Sequence, residues 1–323
     1  SILCKEKEVF SESITVLEKH WRETSHAIQS IRDNKKIADS ELNLLDNKNY
    51  HGLNSNVSFD ENQIKNLSIK GTKPKVAILR EQGVNGQNEM AAAFTIAGFE
   101  AFDVHMQDLL DGNIDLKQFQ GMAVCGGFSY GDVLGAGSGM SSTILFNSKI
   151  KKIFEDFLSN DKNFALGICN GCQFLSGLHS IIPGVNSWPK FIRNDSDQYE
   201  CRLVQLKIEE TNSIFFEGMQ GSVIPVMVSH GEGKAIFEAD ETNVVARYVD
   251  PNHKNTEYYP FNPNGSNAGV AGVCNEDGRV MIMMPHPERT YLAKQYSWAP
   301  SEWQQYSPWF KMFDNAYQFA KKN

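Results

Sequence analysis

The period of the apolar positions changes near residue 73. Before that point Ile14, Leu17, Trp21, Ile28 and Ile31 recur at spacings of three, four and seven, which predicts one amphipathic helix. Ser11 is a candidate cap for its start, and Arg32, Lys35 and Lys36 suit the dipole at its end. A shorter helix is predicted over 40–45. Residues 46–73 are rich in Asn, Ser and Lys and read as a linker. Two helices and a linker are too little to close a core, so residues 1–72 are expected to dock on another unit.

From residue 73 onward the pattern is that of alternating strands and helices. Strands are predicted over 76–79, 101–105, 122–125 and 164–168. Helices are predicted over 88–97, with Gly98 just past its end, and over 144–158, with Phe146, Ile150, Ile153 and Phe157 on one side. Short strands separated by helices imply right-handed crossovers. The fold expected for 73–323 is therefore α/β, a doubly wound and mostly parallel sheet with flanking helices. The later part is richer in strands, at 201–208 and 222–228. A hairpin is expected where 269–274 and 279–284 flank Asn275-Glu276-Asp277-Gly278. A last helix follows Ser307 and Pro308, with Trp309, Phe313, Ala316, Tyr317 and Ala320 along one face.

Composition narrows this further. The 323 residues are 41% hydrophobic and 11% aromatic, enough for a sizeable core in two domains or in one large domain with an appendage. No run of about 18 apolar residues occurs, which argues against a helix spanning a membrane. The start, Ser1-Ile2-Leu3-Cys4-Lys5, lacks the blocks of a signal peptide, and the missing initiator Met suggests a fragment or processed product. A net charge of −8 argues against nucleic acid as a partner. Six scattered cysteines make no disulfide framework, and a cytoplasmic location is expected.

The candidate chemistry centres on Gly167-Ile168-Cys169-Asn170-Gly171. A cysteine between glycines, where a strand passes into a helix, has the setting of a nucleophile on a strained turn. The helix start also favours thiolate over thiol. Two other readings stand beside this one: a buried structural cysteine, and a thioredoxin-like pair formed with Cys172 in Cys169-Asn170-Gly171-Cys172. Cys125, Cys201 and Cys274 stand alone, so no zinc site is expected. A nucleophilic cysteine needs a base and an orienting acid. His286 and Glu288, in Met284-Pro285-His286-Pro287-Glu288-Arg289, sit two apart on chain that the prolines hold extended, and would project to one side. Cys125-Gly126-Gly127-Phe128-Ser129-Tyr130-Gly131-Asp132 follows a strand, and its paired glycines would let backbone N–H groups approach a developing oxyanion. A nucleotide-phosphate loop, though without the Gly-Lys-Ser/Thr ending, and a plain flexible loop are the rival readings. Ser229-His230-Gly231-Glu232-Gly233 also follows a strand. His230 is a second base candidate there, and a substrate loop is the simpler reading.

Together these segments resemble the triad-type, class I glutamine amidotransferase domains. They are most similar to the C-terminal glutaminase domain of the large, single-chain phosphoribosylformylglycinamidine synthases. The resemblance is also carried by Leu79-Arg80-Glu81-Gln82-Gly83-Val84-Asn85-Gly86-Gln87 and Tyr259-Pro260-Phe261-Asn262-Pro263-Asn264-Gly265-Ser266, and it spans 73–323. It reaches back to Trp21-Arg22-Glu23-Thr24-Ser25 and Arg32-Asp33-Asn34, similar to the end of the preceding synthetase domain. The resemblance implies Cys169 as nucleophile, His286 as base and Glu288 as orienting acid, with Gly127 and the amide of Asn170 as oxyanion hole. It implies L-glutamine as substrate, held by Gly126, Phe128, Ser129, Gln173, His230 and Gly231. It implies the synthetase domains of the same polypeptide as partner, with ATP and Mg²⁺ bound there and no cofactor or metal in this chain. One departure is that Gly135-Ala136-Gly137-Ser138-Gly139-Met140-Ser141-Ser142 stands where the family usually has Gly-Ala-Gly-Glu-Gly-Trp-Ala-Lys. A γ-glutamyl hydrolase of the same fold, a thioredoxin-like redox protein and a catalytically silent binding domain are the alternatives.

Overall fold

The computed structural model describes residues 1–47, 50, 52–61 and 72–323. The chain opens with a hairpin of β1 (Ile2–Cys4) and β2 (Lys7–Phe10), then α1 (Ile14–Arg32) and α2 (Lys35–Asn43). The main body runs β3 (Lys75–Arg80), α3 (Gln87–Ala97), β4 (Glu100–His105), α4 (Met106–Asp111), β5 (Gly121–Val124), α5 (Ser138–Leu145), α6 (Ser148–Ser159), β6 (Phe164–Ile168) and α7 (Asn170–Gly177). It continues with β7 (Lys190–Ile192), β8 (Glu200–Ile208), β9 (Val223–His230), β10 (Lys234–Ile236), β11 (Val244–Val249), β12 (Val270–Cys274), β13 (Val280–Met283) and α8 (Phe310–Lys322).

Nine strands form one sheet in the order β4-β3-β5-β6-β13-β12-β11-β8-β9. From β4 to β13 every pairing is parallel, as helix-connected strands require. From β13 to β9 every pairing is antiparallel, the β12–β13 pair being the expected hairpin. The doubly wound α/β sheet is thus present, with an antiparallel wing on one side. β5 and β6 are buried at every position, as central parallel strands must be when both faces are covered. Phe94, Phe99, Phe164, Phe313 and Tyr317 meet mostly edge to face and tie α3, β6 and α8 together. Phe154 and Phe174 do the same for α6 and α7.

Several boundaries differ from the sequence expectation. The predicted helix over 144–158 is two helices. Asn147 interrupts it because its side chain accepts from the backbone N–H groups of Lys149 and Ile150, capping α6. Phe146, expected on the buried side, is 90% exposed at that break. The cap of α1 is Ser13 rather than Ser11, and the second helix begins at Lys35, capped by Asn34.

The linker expected over 46–73 lies partly outside the described residues. Its described part is not free chain. Asn56 exchanges two backbone hydrogen bonds with Val223, and the Ser58 N–H donates to Ser222 Oγ, so the segment covers one end of the edge strand β9. The apolar stripe of α1 has no buried residue, with Trp21 and Ile31 among the most exposed.

Glycine decides how closely α7 approaches the sheet. A Cβ on Gly171 would lie 2.1 Å from the Val124 carbonyl oxygen, and one on Gly167 would lie 2.5 Å from the carbonyl oxygen of Gly171. Both glycines flanking Cys169 are therefore required by backbone contact. Gly171→Ala is expected to destabilise the protein by about 1–3 kcal/mol, through displacement of α7 from β5. Thermal denaturation reads this, and an unchanged melting temperature would contradict the close approach.

Candidate active site

Three adjacent parallel strands, β5, β6 and β13, deliver the candidate residues at their carboxyl ends. Gly167 of β6 pairs with Val124 of β5, and Ile168 of β6 pairs with Met283 of β13. Cys169 follows Ile168 directly, Gly126 lies two residues past Val124, and His286 lies three past Met283. Carboxyl ends of parallel strands are where ligands bind in open α/β sheets.

Cys169 has a φ of 53° and a ψ of −108° immediately before α7. A non-glycine residue seldom adopts positive φ, and such strain persists only where its surroundings enforce it. Here the Cys169 N–H donates to Met283 O at 3.0 Å, and its carbonyl accepts from the Gln173 N–H. Its side chain is 6% exposed, with Sγ 3.5 Å from Ser229 O. A Cβ on Gly126 would lie 2.7 Å from His286 Cε1 and 3.4 Å from the Cβ of Cys169, so both side chains rest on that glycine.

His286 and Glu288 do project to one side, as the spacing predicts. His286 Nδ1 lies 2.5 Å from Glu288 Oε1, and both residues are buried. Burial alone would push the His286 imidazole down. The Glu288 carboxylate first, then the Cys169 sulfur, outweigh it and raise the imidazole to about 10. Among the described residues, His286 Nε2 has no hydrogen-bond partner. A buried imidazole with one nitrogen on a carboxylate and the other beside a thiol is equipped to move a proton.

Gly127 has a φ of 144°, and a Cβ there would lie 2.5 Å from Val84 Cα, so this loop is pinned against the β3–α3 turn. Asn170 ties the loop from the other side. Its Oδ1 accepts from Ser129 N, and its Nδ2 donates to Asp132 Oδ1. A cavity of 240 Å³ opens at this point, lined by Cys169 and His286 with Gly127, Phe128, Gln173, His230 and Gly231 of the expected substrate contacts. Gly126, Ser129 and Asn170 are not among its lining residues, so of the expected oxyanion pair Gly127 lines the cavity and Asn170 directly follows the lining residue Cys169. Gln173 Nε2 donates to Glu232 O at 2.6 Å.

Asn85, Asp132, Ala136, Tyr199, Ser229, Glu232 and Arg289 also line the cavity, and the sequence pattern assigns them no role. Most stand inside the motifs quoted above. No local pattern signals that Tyr199, in the loop before β8, meets Phe128 with ring centroids 6.1 Å apart. His230 does not suit a base: burial, then the charge of His286, push its imidazole down to about 3. Nor does Cys172 suit a redox partner, because burial and then Cys169 hold its thiol well above its usual range. No group of three or more His, Cys, Asp or Glu among the described residues is arranged to hold a metal ion, and no described helix is long and apolar enough to cross a membrane.

The His286 pair has a consequence for stability. Because its folded-state pKa is raised from 6.5 to about 10, its stabilisation is complete below pH 6.5 and is lost progressively as pH rises toward 10. Denaturant unfolding across that window is expected to show the decline, and Glu288→Gln to flatten it. Equal slopes in the two proteins would contradict the pairing.

The model of the CobB/CobQ-like glutamine amidotransferase domain family matches residues 73–320. Among solved structures, PurLQS from Thermotoga maritima is similar at 26% identity and a TM-score of 0.57, over 78% of this chain and 99% of that one. A candidate GMP synthase component from Thermoplasma acidophilum has 14% identity and a TM-score of 0.47, over 78% and 96%. A glutamine amidotransferase from Thermotoga maritima has 15% identity and a TM-score of 0.40, over 68% and 77%. With three-quarters of its length under the family model, the chain belongs to the CobB/CobQ-like glutamine amidotransferase family.

Proposed function

We propose that this chain carries the glutaminase half-reaction of a phosphoribosylformylglycinamidine synthase. The observation that carries the chemistry is the strained Cys169 at the start of α7, sharing Gly126 with a His286 that Glu288 holds at 2.5 Å. The purine-pathway assignment is supported by the similarity to PurLQS and by the motifs over 79–87, 125–137 and 259–266.

In this reading the Cys169 sulfur attacks the side-chain amide carbon of L-glutamine, forming a C–S bond. The tetrahedral oxyanion is held by the backbone N–H groups of Gly127 and Asn170. The His286 imidazolium, oriented by Glu288, gives its proton to the departing nitrogen, and the C–N bond breaks to release ammonia. Water, deprotonated by His286, then hydrolyses the glutamyl thioester to glutamate and frees Cys169. Phe128, Gln173 and Gly231 border the bound glutamine. Residues 1–72 belong to the end of a preceding synthetase domain, and that partner uses the ammonia to amidate formylglycinamide ribonucleotide. ATP and Mg²⁺ are assigned to the synthetase domains and the whole enzyme to the cytoplasm.

A diazoketone analogue of glutamine is expected to label Cys169 stoichiometrically, with Cys169→Ala abolishing the label. Peptide mass spectrometry locates the adduct, and modification of Cys172 instead would sink the assignment. Glu288→Gln is expected to slow glutamine hydrolysis by a factor on the order of 10²–10⁴, measured as ammonia release. A rate within twofold of the parent would remove Glu288 from the mechanism.

A further inference from the structure

Asn264 is fully buried, and its side-chain orientation is decided by its neighbour. Its Oδ1 accepts from the Ser266 backbone N–H at 3.0 Å and from Ser266 Oγ at 2.8 Å. A backbone N–H only donates, so the oxygen end of the amide must face Ser266. The nitrogen end then donates to Tyr248 Oη at 3.1 Å and approaches His230 Nε2 at 3.2 Å. A ring nitrogen that accepts carries no proton, which leaves the His230 proton on Nδ1.

That proton has no partner among the described residues. His230 is 3% exposed, and its Nδ1 is buried without a hydrogen bond. A buried donor left unmatched is costly, so this N–H is expected to meet an acceptor from outside the protein. A Cβ on Gly233 would lie 2.1 Å from His230 Cδ2 and 2.3 Å from Nε2. The Nε2–Cδ2 edge of the ring is therefore turned to Gly233 and Asn264, with Nδ1 on the opposite edge. His230 lines the same 240 Å³ cavity as Cys169. With its imidazole pushed down to about 3, it stays neutral beside His286.

We propose that Asn264 is a positioning residue that locks His230 as the neutral Nδ1–H tautomer, and that this N–H donates to the α-carboxylate of the bound glutamine. The identity of the ligand rests on the glutaminase reading above. Glutamine has two acceptor groups. Its side-chain amide oxygen is drawn to the backbone N–H groups of Gly127 and Asn170, which leaves the α-carboxylate for a side-chain donor. Residues 259–266 would thereby act on the substrate through His230 without touching it.

Nitrogen-15 histidine NMR on the intact chain, with His230 assigned by its loss in a variant, tests the lock directly. The expected signal is a neutral Nδ1–H tautomer that does not titrate between about pH 5 and 8. Asn264→Ser, whose hydroxyl both donates and accepts, is expected to release the lock and give mixed tautomers. The ligand is tested by the glutamine concentration that halves the rate of Cys169 alkylation by the diazoketone. His230→Gln, whose amide reaches toward the Nε2 position, is expected to raise it about tenfold. His230→Asn, whose amide can stand in for Nδ1–H, is expected to restore it to within about threefold. Thermal melts check that each variant folds. An Nε2–H signal, a titrating His230, or equal losses in the two His230 variants would overturn the proposal. If the parent protein is not alkylated at all, the glutaminase reading fails and the ligand with it, while the NMR still decides the tautomer.

Discussion

The chain must turn from β6 into α7 at one residue, and the rest of the site depends on that turn. Cys169 adopts a φ of 53° because α7 is pressed onto β5 and β6 through Gly167 and Gly171, with backbone atoms where side chains would otherwise stand. The strain is held by a close-packed interior that deforms little. It orients the thiol toward the loop after β5 and the segment after β13. Because those strands are the immediate parallel neighbours of β6, their carboxyl ends arrive at the same place.

Electrostatics then separates two histidines that share one small cavity. His286 has a carboxylate at Nδ1 and a sulfur beside it, and its imidazole is raised to about 10. His230 has no carboxylate and an amide donor at Nε2, and its imidazole is pushed to about 3. Burial lowers both. What differs is whether the low-dielectric surroundings supply a compensating negative charge. Pairs of groups pushed apart in this way are a mark of sites where protons are moved.

The antiparallel wing does more than extend the sheet. β9 ends at Ser229 and His230, which wall the cavity, and the loop before β8 carries Tyr199 to its rim. The same loop meets the N-terminal segment, where Asp33 accepts from Gln198 Nε2 at 2.7 Å and Asn34 donates to Asp195 O at 2.8 Å. Part of the contact between α1–α2 and the main body thus falls on a loop that also borders the cavity, and the rest includes Arg202 of β8, which donates to Glu41 Oε1 at 3.2 Å. The apolar stripe of α1 itself stays exposed.

Much of this was legible in local sequence because the signals are local. Glycines two residues either side of Cys169, the extended spacing of His286 and Glu288, and the Asn275–Gly278 turn each depend on a few neighbouring residues. The strand and helix periods of 73–177 depend on burial of one face, and the strands and α3 were read nearly to their ends; α4, most of α5 and the break that Asn147 makes were not. The contacts of Asn264, Tyr199 and Arg289 were not legible, because each is made with a partner far along the chain. Asn264 orients a histidine 34 residues away, and Arg289 Nη2 reaches Asn85 Oδ1, 204 residues away. The sequence by itself determined which side chains could act as nucleophile, base and acid. Only the tertiary structure decided the protonation each histidine would hold, since that follows from burial and from partners the fold brings together.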